Sequence, residues 1–159
     1  VQELKTGTVV ELVPEPVLEF HMEAYISGDY ISDAMHKIEV YQRIAAVRRE
    51  EHITELLDEL LDRFGEPPLC VLNLLEVARV KNLARQLGIR SVIEQPNRIE
   101  IAFSERPNVE PAQVMGLKDI FPARVTVLPG GIYLKTIKIP PDSILSWLVK
   151  VLKNLVKTG

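Results

Sequence analysis

Between Leu18 and Ile26 every second residue is apolar: Leu18, Phe20, Met22, Ala24 and Ile26 alternate with Glu19, His21, Glu23 and Tyr25. That period of two predicts a strand with one face inward. The extended character reaches back to Val9, and Pro14 and Pro16 suit an edge strand or a break, since each removes a ladder donor. From Ser27 to Glu50 the period becomes helical. Ile31, Ala34, Ile38, Tyr41, Ile44 and Ala45 share one face, which is expected to turn inward. Ser32 is the expected N-cap, with Asp33 in the first turn.

A second helix runs through "HITELLDELLDRFGEPP", His52 to Pro68. Ile53, Leu56, Leu57, Leu60, Leu61 and Phe64 form its apolar face; Glu55, Asp58, Glu59, Asp62 and Arg63 form the other. Gly65 offers the left-handed residue that ends a helix. Pro67 and Pro68 stop propagation and open a third helix, Pro67 to Gly88, apolar on most sides and predicted to be central. Arg79, Lys81 and Arg85 crowd its C-terminal half, where cations favour the helix dipole.

After Gly88 the texture changes. Ile89–Glu94 and Arg98–Phe103 read as strands joined by a Gln95-Pro96-Asn97 turn. A short helix starts near Glu110. A second hairpin, Arg124 to Ile137, turns at Pro129-Gly130-Gly131. The final helix spans Pro140 to Lys157, with Ile144, Leu145, Leu148, Val149, Leu152, Leu155 and Val156 on its apolar face and Lys150, Lys153 and Lys157 off it. The predicted class is α+β: an N-terminal strand and three-helix half, then two β-hairpins forming a small, mostly antiparallel sheet with covering helices.

Length changes this picture little. A chain of 159 residues suits one domain. Folding buries roughly 70% of its surface, so neither disulfide nor metal is needed to hold a core. The single cysteine, Cys70, excludes an internal disulfide and reads as a small core hydrophobe in a cytoplasmic protein. No run of 18 apolar residues exists, and "VQELKTG" has no signal-peptide core. The absent initiator Met leads us to expect a piece of a longer protein.

Charge changes the picture more. Residues 50–66 hold 7 acids, Glu50, Glu51, Glu55, Asp58, Glu59, Asp62 and Glu66, against the single base Arg63. Residues 67–159 hold 7 acids and 13 bases. Such asymmetry speaks about partners.

Candidate chemistry is sparse. Neither a G-x-x-x-x-G-K-[ST] nor a G-x-G-x-x-G run occurs, and Pro129-Gly130-Gly131 reads as a turn. His21, His36 and His52 are isolated, and the pair His36 and Glu39 has no second pair to complete a metal shell. No G-x-S-x-G occurs, and solvated carboxylates on one helix face keep ordinary acidity, which makes a poor acid–base pair. A small hydrolase would need a deep polar pocket with convergent carboxylates. A nucleic-acid module using Arg79, Lys81, Arg85 and Arg90, with Arg98 close in sequence, is the main alternative, although no aromatics interleave with these bases and the anionic second helix would repel phosphates. The Leu, Val, Lys and Trp of the last helix also fit a membrane surface, but a helix covering a sheet needs the same pattern.

"DYISDAMHKIEVYQRIAAV", "ELLDELLDRFGEPP" and "LLEVARVKNLARQLGI" follow one another with tight spacing. Together they resemble the C-terminal domain of the bacterial transcription-repair coupling factors, the Mfd proteins. The resemblance runs from about Val9 to Val156, loosest over the last 50 residues. It implies that residues 1–7 are the tail of a preceding translocase module and 8–159 a single C-terminal regulatory domain. It implies a parent that is an ATP-dependent DNA translocase, displaces stalled RNA polymerase and recruits UvrA for nucleotide excision repair. The domain itself would be non-catalytic and hold no cofactor, the ATP and Mg belonging to the parent's motor. It would pack on the UvrB-like N-terminal module of the same chain, mask the UvrA-binding surface and keep the motor quiet. Family interface residues match Glu59, Asp62 and Arg63, with Glu55, Asp58 and Glu66 as a secondary set. Read from the residues alone, Glu59 and Arg63 make an ordinary i, i+4 helix pair.

Overall fold

The computed structural model describes residues 15–156. The expected tail at residues 1–7, the extended stretch from Val9 to Pro14, and Lys157 lie outside them. In chain order the elements are β1 (Val17–Glu19), α1 (Ala34–Ala45), α2 (Glu50–Phe64), α3 (Leu69–Leu87), β2 (Ile89–Gln95), β3 (Arg98–Phe103), α4 (Pro111–Ile120), β4 (Val125–Leu128), β5 (Gly131–Lys135) and α5 (Ile144–Lys153), the last entered through a single 3₁₀ turn at Pro141–Ser143. The fold is α+β, as the pattern of periods predicts.

The strands form one five-stranded sheet in the order β1-β2-β3-β5-β4. Both hairpins are antiparallel, and β3 joins them by pairing with β5, Ile99 opposite Leu134. β1 lies parallel to β2, with Leu18 opposite Val92. The N-terminal strand therefore belongs to the sheet and not to the helical half. It is an edge strand, as Pro16 just before it requires. Only three of its residues pair. Beyond Glu19 the alternation survives as burial alone: Phe20, Met22 and Ala24 are half-buried, Ile26 is buried, and the residues between them are exposed. Tyr25 N–H donates to the Cys70 carbonyl (3.1 Å) and Asn73 Nδ2 to the Glu23 carbonyl (3.0 Å), so this segment is laced to α3 instead of to a strand.

Two apolar clusters result. In one, the inner face of the sheet (Val92, Ile99, Ile101, Ile132, Leu134) packs against α5, Leu117 of α4 and the C-terminal half of α3. In the other, Val40, Ile53, Leu56 and Leu60 of α1 and α2 pack with Ile26 and Ile31 against Val71, Leu75 and Ala78 of α3. α3 serves both clusters, which is why its sequence is apolar on most sides. Cys70 packs half-buried at the rim of the second cluster.

α3 ends at Gly88, whose φ of 70° places it in the left-handed region. A Cβ there would also lie 2.9 Å from Pro107 Cα. Glycine thus lets the loop after β3 settle on the helix end, where Ser104 N–H donates to the Gly88 carbonyl and Asn108 N–H to that of Leu87, both at 2.9 Å.

α1 departs from expectation. Asp33, not Ser32, is its N-cap, because the Asp33 carboxylate accepts Met35 N–H (2.8 Å) and His36 N–H (3.1 Å). The helix is also rotated. Only Val40 within it is buried, while Ile38 is 49% and Tyr41 40% exposed, and Ala34 and Ala45 face solvent. The buried line runs through Val40 and Val47 with Ile44 half-buried beside them. Ile31 is buried, but ahead of the helix. On α2, Leu61 of the expected apolar face is 41% exposed. Leu75→Ala, at the seam of α3 with α1 and α2, should lower the free energy of unfolding by about 2–5 kcal/mol. Ile38→Ala, which an inward α1 face would make comparably costly, should change it by no more than about 0.5 kcal/mol. Urea titrations of the two variants compare them directly.

Candidate functional site: the acidic ridge of α2

α2 begins with Glu50 and Glu51 in its first turn and carries Arg63 in its last, both favourable to the helix dipole. No side chain caps its first N–H groups; instead His52 Nδ1 accepts the Arg48 N–H at 3.0 Å and fixes the chain's entry. Gly65, with φ 83°, sends its N–H to the Leu61 carbonyl at 3.1 Å and closes the helix. Its ψ of −165° is not left-handed helical, so the helix ends by a sharp exit into Pro67 and Pro68.

Burial of Ile53, Leu56 and Leu60 fixes which way the helix faces. The opposite side is a line of carboxylates. Glu51, Glu55, Asp58 and Asp62 follow at spacings of four, three and four, one stripe on a 3.6-residue helix, and all four are exposed. None makes a hydrogen bond or ion pair among the described residues, and Glu66 beyond them is also exposed.

Glu59 is different. It sits on the flank facing α1, where Arg43 Nη1 bonds its Oε1, and Arg63 Nη1 bonds its Oε2 at 3.0 Å. The Arg43 hydrogen bond, then that of Arg63, holds the Glu59 carboxyl below the usual carboxylate range. Arg63 is itself held. Its guanidinium lies 4.9 Å over the Phe64 ring, and Phe64 packs at 5.8 Å on Tyr30, whose hydroxyl donates to the Gly65 carbonyl at 2.7 Å. The three residues singled out by the resemblance therefore differ in state. Asp62 is an unpaired anion, Arg63 a cation in a fixed orientation, and Glu59 the acceptor that orients it. Arg43, which sequence reasoning did not include, completes the node. Its signal was weak: a cation 16 positions from Glu59 on another helix.

Tertiary contacts also answer part of the charge imbalance. Glu50 pairs with Arg79 of α3 at 2.7 Å, and Arg79 also binds Glu76 at 2.8 Å. The basic residues of α3 are largely committed in the same way. Lys81 and Arg85 share the Glu15 carboxylate at 3.3 and 2.9 Å, with Arg85 foremost in pulling Glu15 down to about 2. Arg98 pairs with Glu100 at 2.7 Å and lies over Tyr133 at 4.7 Å. Of the set Arg79, Lys81, Arg85, Arg90 and Arg98, Arg90 alone is exposed without an ion pair among the described residues. These cations do not form a continuous unpaired stripe of the kind a duplex would track.

No group of three metal-ligating side chains converges among the described residues. The His21 backbone N–H donates to Glu94 at 2.9 Å, and its exposed imidazole stands 3.7 Å from the same carboxylate. A concavity of about 550 Å³ lies over the open face of the sheet, and of its lining acids Glu100 is already paired with Arg98. No described helix is long and apolar enough to cross a membrane. The lysine-bearing last helix covers the sheet, burying Leu145, Leu148 and Leu152.

A family model described as the TRCF domain matches residues 20–114, which include all of α2. The transcription-repair-coupling factor of Escherichia coli K12 is 35% identical over 100 residues, 63% of this chain and 9% of that protein. That of Bacillus subtilis 168 is 33% identical over 110 residues, 69% of this chain and 9% of that protein. The chain thus matches less than a tenth of the length of these curated relatives. A crystal structure of the C-terminal domain of a transcription-repair coupling factor superposes with a TM-score of 0.79 at 28% identity, covering 89% of this chain and 91% of the other.

Two measurements test the electrostatics. In carboxyl NMR titrations, Arg43→Ala should raise the Glu59 pKa more than Arg63→Ala does. Glu15 provides the pH test. Its folded pKa lies below its ordinary 4.5, so its ion pairs stabilise the fold above that value and the contribution disappears as pH falls from 4.5 towards 2. With its side chain 54% exposed, the contribution is no more than about 1 kcal/mol. Glu15→Gln should therefore be less stable than wild type by a constant amount near neutrality, with the gap closing below pH 4.5.

Proposed function

The chain belongs to the TRCF domain family, and from that premise we propose that it is a non-catalytic clasp within a longer transcription-repair coupling factor. The clasp packs on the UvrB-like module of its own parent, covers the surface that UvrA would use, and holds an ATP-driven DNA translocase at low activity until RNA polymerase is engaged. The observation that carries this reading is the ridge itself. Four carboxylates without a partner among the described residues stand in line on one exposed helix face, beside an arginine whose direction is set by Glu59 and Phe64.

Physical chemistry favours a protein surface as the ridge's target. Like charges in a row repel one another in the free domain, a cost relieved when a cationic surface covers them. Leu61 on α2, 41% exposed and next in the chain to Asp62, adds apolar area beside the charge. Mixed apolar and charged surface with a pre-oriented arginine is the composition of a protein interface. Exposed ion pairs contribute only about 0.2–1 kcal/mol each, whereas desolvated interface pairs couple by roughly 1.5–7 kcal/mol. A few such contacts supply on the order of 3–6 kcal/mol. That favours the closed form by about 10²–10⁴ and still lets a partner selective for the open form release it.

Replacing Glu59, Asp62 and Arg63 with alanine in the full-length parent should raise both UvrA binding and basal ATPase. Asp58→Lys with Asp62→Lys should do the same without touching the Glu59 node, which separates loss of the charged ridge from local disturbance of α2. Unchanged UvrA binding and ATPase in both variants would sink the clasp.

A further inference from the structure

A second feature lies outside the ridge, where α3 ends. The loop from Ser104 to Asn108 folds down on Gly88 and, with β2 leaving the same point, walls a notch of about 430 Å³. Arg85, Arg90 and Arg106 line it together with Ser104, and the acids in its lining are Glu15 and Glu105. Arg90 and Arg106 are exposed and make no ion pair among the described residues. Arg85 is the unusual member. Its side chain is 14% exposed, its Nη2 donates to Glu15 at 2.9 Å, and its Nε and Nη1 are buried without a hydrogen-bond partner among the described residues. Buried guanidinium donors are ordinarily satisfied, and an unsatisfied pair at a concave basic site has capacity left for an anionic ligand.

We propose that this notch binds a phosphate monoester, gripped by Arg85, Arg90 and Arg106 with the Ser104 hydroxyl as a neutral donor. Glu15 is the internal stand-in for that ligand. Its Oε1 alone takes both Arg85 and Lys81, and the Nε and Nη1 of Arg85 are left without a partner among the described residues. A tetrahedral dianion offers more acceptor oxygens than a carboxylate and suits three guanidinium forks converging from different elements. Arriving phosphate displaces Glu15, whose side chain is 54% exposed and free to swing out, and draws the Arg85 guanidinium toward the notch. The site takes one phosphate group; it is not a track for a duplex.

The test titrates inorganic phosphate into this chain at low, constant ionic strength and follows backbone amides by NMR. Saturable shifts are expected at Gly88, Arg90 and Ser104 to Arg106. Arg106→Ala, an exposed position, should weaken binding about tenfold. Glu15→Gln, which removes the competing carboxylate, should tighten it about threefold. Acetate at matched ionic strength should produce no saturable response. Absence of saturable shifts, an equal response to acetate, or failure of Glu15→Gln to tighten binding each overturns the site. Adenosine monophosphate and duplexes with a 5′-phosphate or a 5′-hydroxyl then identify the source. Preference for the 5′-phosphorylated duplex assigns the phosphate to a nucleic-acid end, and binding of the mononucleotide alone assigns it to a free nucleotide; either result supports the site.

Discussion

Everything in this domain is arranged around the burial of α3. One flank of its N-terminal half closes the core of α1 and α2 through Val71, Leu75 and Ala78, and its C-terminal half closes the core of the sheet through Val80, Leu83, Ala84 and Leu87. Neither half could stand without it. Two helices and an irregular segment would otherwise expose Ile53, Leu56 and Leu60, and the sheet would lose one of the helices that cover it. Sharing a single helix also makes the two cores one mechanical unit, because a shift of α3 is felt in both.

That arrangement determines what each surface can do. α2 is held by one face only, through three buried residues, so its far side is free to carry charge that has no structural duty. α1 is held still more lightly, by Val40 and its neighbours, which leaves apolar side chains such as Met35 and Ile38 exposed. At the other end, the glycine that terminates α3 brings a loop of the sheet half onto the helix end and collects arginines from α3, β2 and that loop. The acidic ridge and the basic notch are thus consequences of one packing solution, displayed at opposite ends of the same helix.

Opposite charges within the molecule also sort themselves by reach. Glu50 and Glu59 find Arg79 and Arg43 because α2 lies alongside α3 and α1. The line from Glu51 to Asp62 points away from both neighbours and stays unpaired among the described residues. A count of acids and bases along the chain mixes these two populations. The charge left exposed and unpaired among the described residues is the remainder once the tertiary pairs are removed.

Much of this was legible in the chain itself. Period and punctuation were enough for the helices, the two hairpins, Gly88 as a terminator and the α+β class, because such signals are local: a spacing of two or 3.6, a capping residue, a proline. The acidic character of α2 and the stripe holding Asp62 follow from the same periodicity. Which way a lightly packed helix turns was not legible. Ile38 and Tyr41 have the spacing of a core face, yet the contact surface offered by α3 selected Val40 and Ile44 instead. Nor was the union of β1 with β2, since a parallel pairing joins residues some 70 positions apart, Val17 with Ser91, and leaves no local trace. Arg43 on Glu59, Glu15 on Arg85 and the notch behind Gly88 are of the same kind. Sequence determines what each segment would bury or expose if left to itself; only the packed molecule decides which distant charges meet, because Coulomb pairing and close contact depend on distances in space that the order of residues does not contain.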